Sequence, residues 1–205
     1  VSLHNPHDIC YWIVDQLPAE HPSAGKPAAG EPNLPPLPKN FAPSPDEPEF
    51  IARCRVRNYY GAEIKSTPKW DELRWRRYLH AYYRMTERAD HGVGVVLDAL
   101  RDSGHEDNTI VVFTSDHGEG LAAHQWVTKL MLYQEPLSVP LVFRWKGRIA
   151  AGQVDRRNFA SGMDVMPTLC DLAGIPLPKP VHGTSLRPVL EGRGGRLRDS
   201  AFAQL

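Results

Sequence analysis

The chain has only three cysteines, Cys10, Cys54 and Cys170, and no two of them form a CxxC pair. That spacing argues against structural zinc and offers no disulfide framework. A charge surplus is missing too: Lys+Arg and Asp+Glu each number 24. No overall field therefore draws the molecule to nucleic acid or to a membrane surface, and function has to come from a local site. The basic clusters Arg74-Trp75-Arg76-Arg77 and Arg193 to Arg198 read as solvated faces rather than as a nucleic-acid groove. No apolar run approaches the ~18 residues of a membrane span. The opening VSLHNPHD lacks the basic start and long apolar stretch of a signal peptide. It also lacks an initiator Met and begins mid-pattern, as a piece of a longer protein would, so localisation stays open.

What is present is enough for a sizeable core in one domain, or one domain with an extension, over 205 residues. Val1 to Leu3 reads as the tail of a strand that enters the polar loop His4-Asn5-Pro6-His7-Asp8. Prolines crowd the segment from about 18 to 57, which reads as an irregular excursion, with Trp12, Phe41 and Phe50 available to pin it. From Trp70 to Ser103 the pattern is helical, with Leu73, Leu79, Tyr82, Tyr83, Thr86, Ala89, Val93, Val96, Leu97 and Leu100 mostly at i, i+3, i+4 spacing. Pro68 and Gly104 bound it, and Gly92 and Gly94 allow a bend or a close approach. Thr109 to Thr114 reads as a buried strand, and Val139 to Trp145 as a second. Asp164 caps a helix over Val165 to Ala173 that Gly174 ends, and DSAFAQL looks like the start of another strand. Helix, strand, loop, strand, helix is the rhythm of a mostly parallel α/β sheet flanked by helices.

The chemistry concentrates just past Thr114. A buried strand has no use for charge, so Asp116 and His117 at its carboxyl end sit where open α/β sheets place ligands. A carboxylate beside an imidazole suits a divalent metal, and these two side chains alone leave hard and softer ions both open. Lys129 supplies a compact point charge for a tetrahedral anion. His124 suits orienting that anion or moving a proton. Pro6 fixes the backbone before His7, so that imidazole, or its competitor His4, is placed to protonate a leaving oxygen. Asp90, His91 and Asp164 read as structural.

The run TIVVFTSDHGEGLAAHQWVTK with LYQEPLSVPLVF, followed in order by MDVMPTLCDLAGI and HGTSLRPVLEG, resembles the sulfatases of the alkaline phosphatase superfamily. The resemblance covers nearly the whole chain apart from the Pro-rich segment. It implies a partial alkaline phosphatase-like sulfatase fold, with residues 1–205 forming part of a catalytic domain. It also implies that Asp116 and His117 ligate Ca²⁺, that Lys129 contacts the sulfate, that His7 lies near the scissile oxygen, and that His124 lines the pocket. The implied substrate is a sulfated small molecule or glycan, attacked by a formylglycine made from Cys or Ser. The chain departs from the family in two places. It contains no Cys/Ser-x-Pro/Ala-x-Arg motif, Ser66-Thr-Pro-Lys-Trp coming nearest, and no Asp-Asp pair. The nucleophile and two metal ligands are therefore expected in an amino-terminal part, this stretch alone is expected to be inactive, and an exposed apolar face favours self-association. A phosphonate or phosphodiester hydrolase of the same superfamily, or a non-catalytic pseudoenzyme or scaffold, are the alternatives.

Overall fold

The structure is a computed structural model that describes residues 1–16, 33–56 and 67–203. Residues 18–32 and 57 of the Pro-rich segment, and Ser66 of the near-miss modification motif, lie outside the described residues. The chain divides into two compact units, Val1–Ala99 with His117–Ser138, and Leu100–Asp116 with Val139–Leu205.

In the first unit, α1 (Ile9–Ile13) follows the turn through Asn5–Asp8, where a strand tail was expected at Val1–Leu3. A Pro three residues beyond Leu3 and a chain of i+3 turn hydrogen bonds explain the difference: His7 N–H donates to His4 O and Ile9 N–H to Pro6 O. Next come α2 (Glu49–Val56) and the long α3 (Glu72–Asp102). The bounds of α3 match the sequence expectation, but its buried face does not. Trp75, Tyr78, Leu79, Ala81 and Met85 are buried, whereas Leu73, Tyr83 and Leu97 are exposed. A helix with aromatic residues on several faces has no unique stripe, and the partner selects the face. Here the partner is Ile9, Ile13, Cys54, Ala122, Trp126, Val127 and Met131, which complete the core. Trp12 and Phe41 pack against it, as expected of pins for the Pro-rich segment, while Phe50 is exposed and Cys54 takes the buried place instead.

The Arg74–Arg77 cluster is not a solvated face. Arg74 lies over Trp12 and Trp70 and pairs with Asp15, and Arg76 donates to the carbonyls of Leu34 and Pro35. The cluster therefore anchors the proline-rich chain to α3, using Arg stems and guanidinium planes as packing surfaces. No helix among the described residues is long and apolar enough to cross a membrane, and the three cysteines are free.

In the second unit, β1 (Val111–Thr114) pairs with β2 (Leu141–Arg144) in antiparallel register, Val111 opposite Arg144 and Thr114 opposite Leu141. The α/β class holds, but the one sheet among the described residues is antiparallel where a parallel one was expected. A parallel pair needs a crossover element of a dozen or more residues. Between these strands only a 3₁₀ turn and the one-turn helix α4 (Gln134–Leu137) intervene. β1 is also not fully buried: Phe113 and Thr114, which point to opposite faces, are both exposed, so its carboxyl end is open on both sides.

The helix α5 (Val165–Ala173) ends at Gly174 in the left-handed region, as read, but Asp164 makes no side-chain cap on it; the cap sits one turn earlier at Ser161, whose hydroxyl accepts from the Met163 amide. The carboxylate of Asp164 is fully buried and accepts from the amides of Ser161 and Thr184, each at 2.8 Å, and from Arg198. It therefore ties the HGTSL segment, ahead of α6 (Arg187–Leu190), to α5. No strand forms over Asp199–Ala203.

Candidate active site

His117 to Leu130 forms a loop whose backbone enters the left-handed region at six non-glycine residues, Leu121, Ala122, His124, Gln125, Thr128 and Leu130. Such conformations cost about 1–3 kcal/mol each and persist only where the surroundings over-determine them. Here the burial of Ala122, Ala123, Trp126 and Val127 supplies that constraint. Trp126 also donates its ring N–H to the Lys129 carbonyl at 3.1 Å, which fixes the backbone that carries the lysine.

Glu119 holds the loop from inside. Its buried carboxylate accepts from the Tyr78 hydroxyl on α3 and from the amide of Thr128, next to Lys129. Burial pushes the Glu119 carboxyl up from its ordinary value, against the opposite pull of those two donors. At Gly118 a β-carbon would stand 2.0 Å from the Glu135 carbonyl oxygen, while its amide donates to Pro136 O at 2.8 Å. Backbone has no freedom to retreat there, so Gly118→Ala is expected to destabilise by about 3 kcal/mol or more, measured by urea denaturation. An unchanged denaturation midpoint would mean the loop is not clamped at this point.

These constraints bring Lys129 Nζ to 2.8 Å from His117 Nε2. An ammonium group can only donate, so Nε2 is the accepting nitrogen and the proton sits on Nδ1, which faces Gly118 O at 2.7 Å. A backbone carbonyl that fixes the tautomer in this way is how metal-binding imidazoles are commonly oriented. The lysine cation stands on the lone pair that a metal would use. An imidazole nitrogen and, one residue earlier in the sequence, the Asp116 carboxylate are donor types that suit a divalent cation. Asp116 belongs to the second unit and is exposed, with Ser115 Oγ at 3.3 Å from its Oδ1.

His124 belongs to another cluster. Its ring stacks on Tyr133 at 4.3 Å between centroids, and its amide donates to the Asn40 carbonyl. Asn40 in turn donates to Glu135 Oε1 at 2.8 Å. Tyr133 donates to Glu47 at 2.7 Å, its phenol pushed up to about 12 by burial and by that carboxylate. Arg55 completes the cluster, bonding Glu47 and the Gln125 carbonyl. His7 makes a third group with His4, Cys10 and Tyr11. Of the residues singled out in the sequence, the structure brings His117 and Lys129 into direct contact and sets His7 beside His4. Glu119, Tyr78, Asn40, Tyr133, Arg55 and Glu47 were not singled out, and the only local signal among them is a Glu wedged between two glycines.

A family model described as Sulfatase matches residues 1–175. The Delta 4,5-hexuronate-2-O-sulfatase of Bacteroides thetaiotaomicron is 35% identical over 198 residues, covering 93% of this chain and 39% of that protein. Among solved structures, a 2-O GAG sulfatase superposes with a TM-score of 0.78 at 32% identity, over 92% of this chain and 40% of that one. A phosphonate monoester hydrolase from Silicibacter pomeroyi gives 0.66 at 27% identity, over 83% of this chain and 34% of that one. The chain thus spans well under half the length of the proteins it matches. By the match to its family model and by its partial alkaline phosphatase-like α/β fold, this chain belongs to the sulfatase family.

Proposed function

We propose that the protein carrying this chain hydrolyses sulfate esters of a glycan or small molecule, with a 2-O-sulfated hexuronate as the first candidate substrate. The observation that carries the reading is the contact of Lys129 Nζ with His117 Nε2 on a loop locked from within. Lys129 would bind the sulfate oxygens and offset their charge as it builds, which is where preorganised donors act most strongly. Asp116 and His117 would hold Ca²⁺, with the Gly118 carbonyl keeping the His117 lone pair outward. That ion would supply Lewis acidity and orient the sulfate. His7 would give its proton to the leaving oxygen. His124, stacked on Tyr133, would line the site and stiffen its wall. The nucleophile implied by the family, a formylglycine, has no motif in this chain, so this stretch alone should not turn over substrate.

The choice of uronate rests on the sulfatase that is 35% identical over nearly the whole chain. One observation favours a second reading: the likeness to a phosphonate monoester hydrolase, since a lysine beside a metal-binding imidazole does not by itself select sulfur over phosphorus. Assaying the full-length protein on a 2-O-sulfated unsaturated uronide, an aryl sulfate and an aryl phosphonate separates these possibilities. Sulfate release from the first is the expected result. Turnover of the phosphonate alone would establish the second reading, and no turnover of any substrate would point to a pseudoenzyme.

A further inference from the structure

Away from the His117–Lys129 pair, the turn before α1 gathers two imidazoles and a carboxylate. Among the described residues, His4, His7 and Asp8 are the group whose potential ligand atoms all lie within 4.8 Å of one another. His4 Nε2 stands 3.3 Å from Asp8 Oδ1. Two donors each bound at about 2.0 Å to a tetrahedral ion stand about 3.3 Å apart, given ordinary Zn–N and Zn–O bond lengths. The His4 and His7 rings have their centroids 4.7 Å apart, tilted by 56°. The backbone is fixed under them by hydrogen bonds from His7 N to His4 O, Cys10 N to His7 O and Tyr11 N to Asp8 O. Spacing of i, i+3 and i+4 on this turn puts all three side chains on one side. His4 and His7 are exposed, so modest rotations can draw the atoms into one coordination sphere.

We propose that His4, His7 and Asp8 form a binding site for a borderline transition-metal ion such as Zn²⁺. Two imidazole nitrogens and one carboxylate oxygen match such ions, whereas Ca²⁺ and Mg²⁺ require more oxygens than this turn offers. An ion here engages the ring of His7, so it blocks proton donation to the leaving oxygen and makes the metal a reversible inhibitor. That consequence rests on the role given to His7 above, while the binding does not.

Zn²⁺ is titrated into the protein in the presence of excess Ca²⁺, with a chromogenic chelator reporting free zinc. Wild type, His4→Gln and Asp8→Asn are compared, with thermal unfolding of the metal-free proteins confirming that all three fold. Loss of one of three ligands is expected to weaken binding by about tenfold or more, the scale on which even supporting partners act. Equal affinity in all three proteins, or no binding by wild type, overturns the site. Activity gives a separate readout: zinc should inhibit wild type, and a zinc-selective chelator should restore the rate. His4→Gln should need about tenfold more zinc for the same inhibition. Binding that weakens in the variants without inhibition of wild type would keep the site and remove His7 from the reaction.

Discussion

Replacing Lys129 by alanine in the full-length protein is expected to lower kcat on a sulfate ester by about 10²–10³, the usual effect of deleting one preorganised charge from an oxyanion site. The side chain is exposed and its ammonium contacts a surface-facing imidazole, so its loss should leave the fold intact. What holds the lysine in place is its backbone, through the Trp126 ring N–H and the Glu119 carboxylate at Thr128. Lys129→Arg should recover little of the rate, because a planar fork cannot occupy the position of a compact ammonium group. Steady-state kinetics with matched unfolding curves provide the test. Wild-type turnover by the alanine variant would place the anion site elsewhere.

The largest expected effect on stability belongs to Arg55. Its side chain is 12% exposed and that of Glu47 is 8% exposed, with further bonds from Arg55 to Gln125 O and its guanidinium over Trp126. Removing one partner of a buried ion pair leaves the other charge stranded, at a cost of about 3–5 kcal/mol, so Arg55→Ala, in this largely but not fully buried pair, should lose up to that much by urea denaturation. The pH dependence has a definite sign. Burial by itself would raise the Glu47 carboxyl, but Arg55 and Tyr133 hold it below its ordinary value of 4.5. The unfolded chain therefore binds more protons in that window, and stability rises with pH. The contribution is complete above the ordinary carboxylate range and disappears as pH falls through the depressed value. Arg55→Ala should flatten this acid limb. A variant as stable as wild type at neutral pH would show that the cluster does not hold the loop.

Features governed by neighbouring residues could be read from the sequence alone. Gly174 ends α5 because helix ends depend on local backbone groups. The bounds of α3 were legible for the same reason, but the phase of its buried face was not, since Ile9, Ile13 and Trp126 lie far along the chain from it. Antiparallel pairing of β1 with β2 was hidden because strand direction depends on what the connection does in space. At the candidate site, Asp116, His117 and Lys129 stood out through residue type and local order. The support beneath them did not, because Tyr78 meets Glu119 across 41 residues of sequence. The stacking of His124 on Tyr133 was equally invisible, since an isolated histidine in a loop carries no sign of its partner.

The most direct test of the sulfate-binding claim is a crystal structure of the full-length protein with Ca²⁺ and inorganic sulfate. The account predicts a cation held by Asp116 and His117 Nε2, with Lys129 Nζ moved from that nitrogen onto a sulfate oxygen. An anion bound elsewhere, with Lys129 still resting on His117, would contradict it.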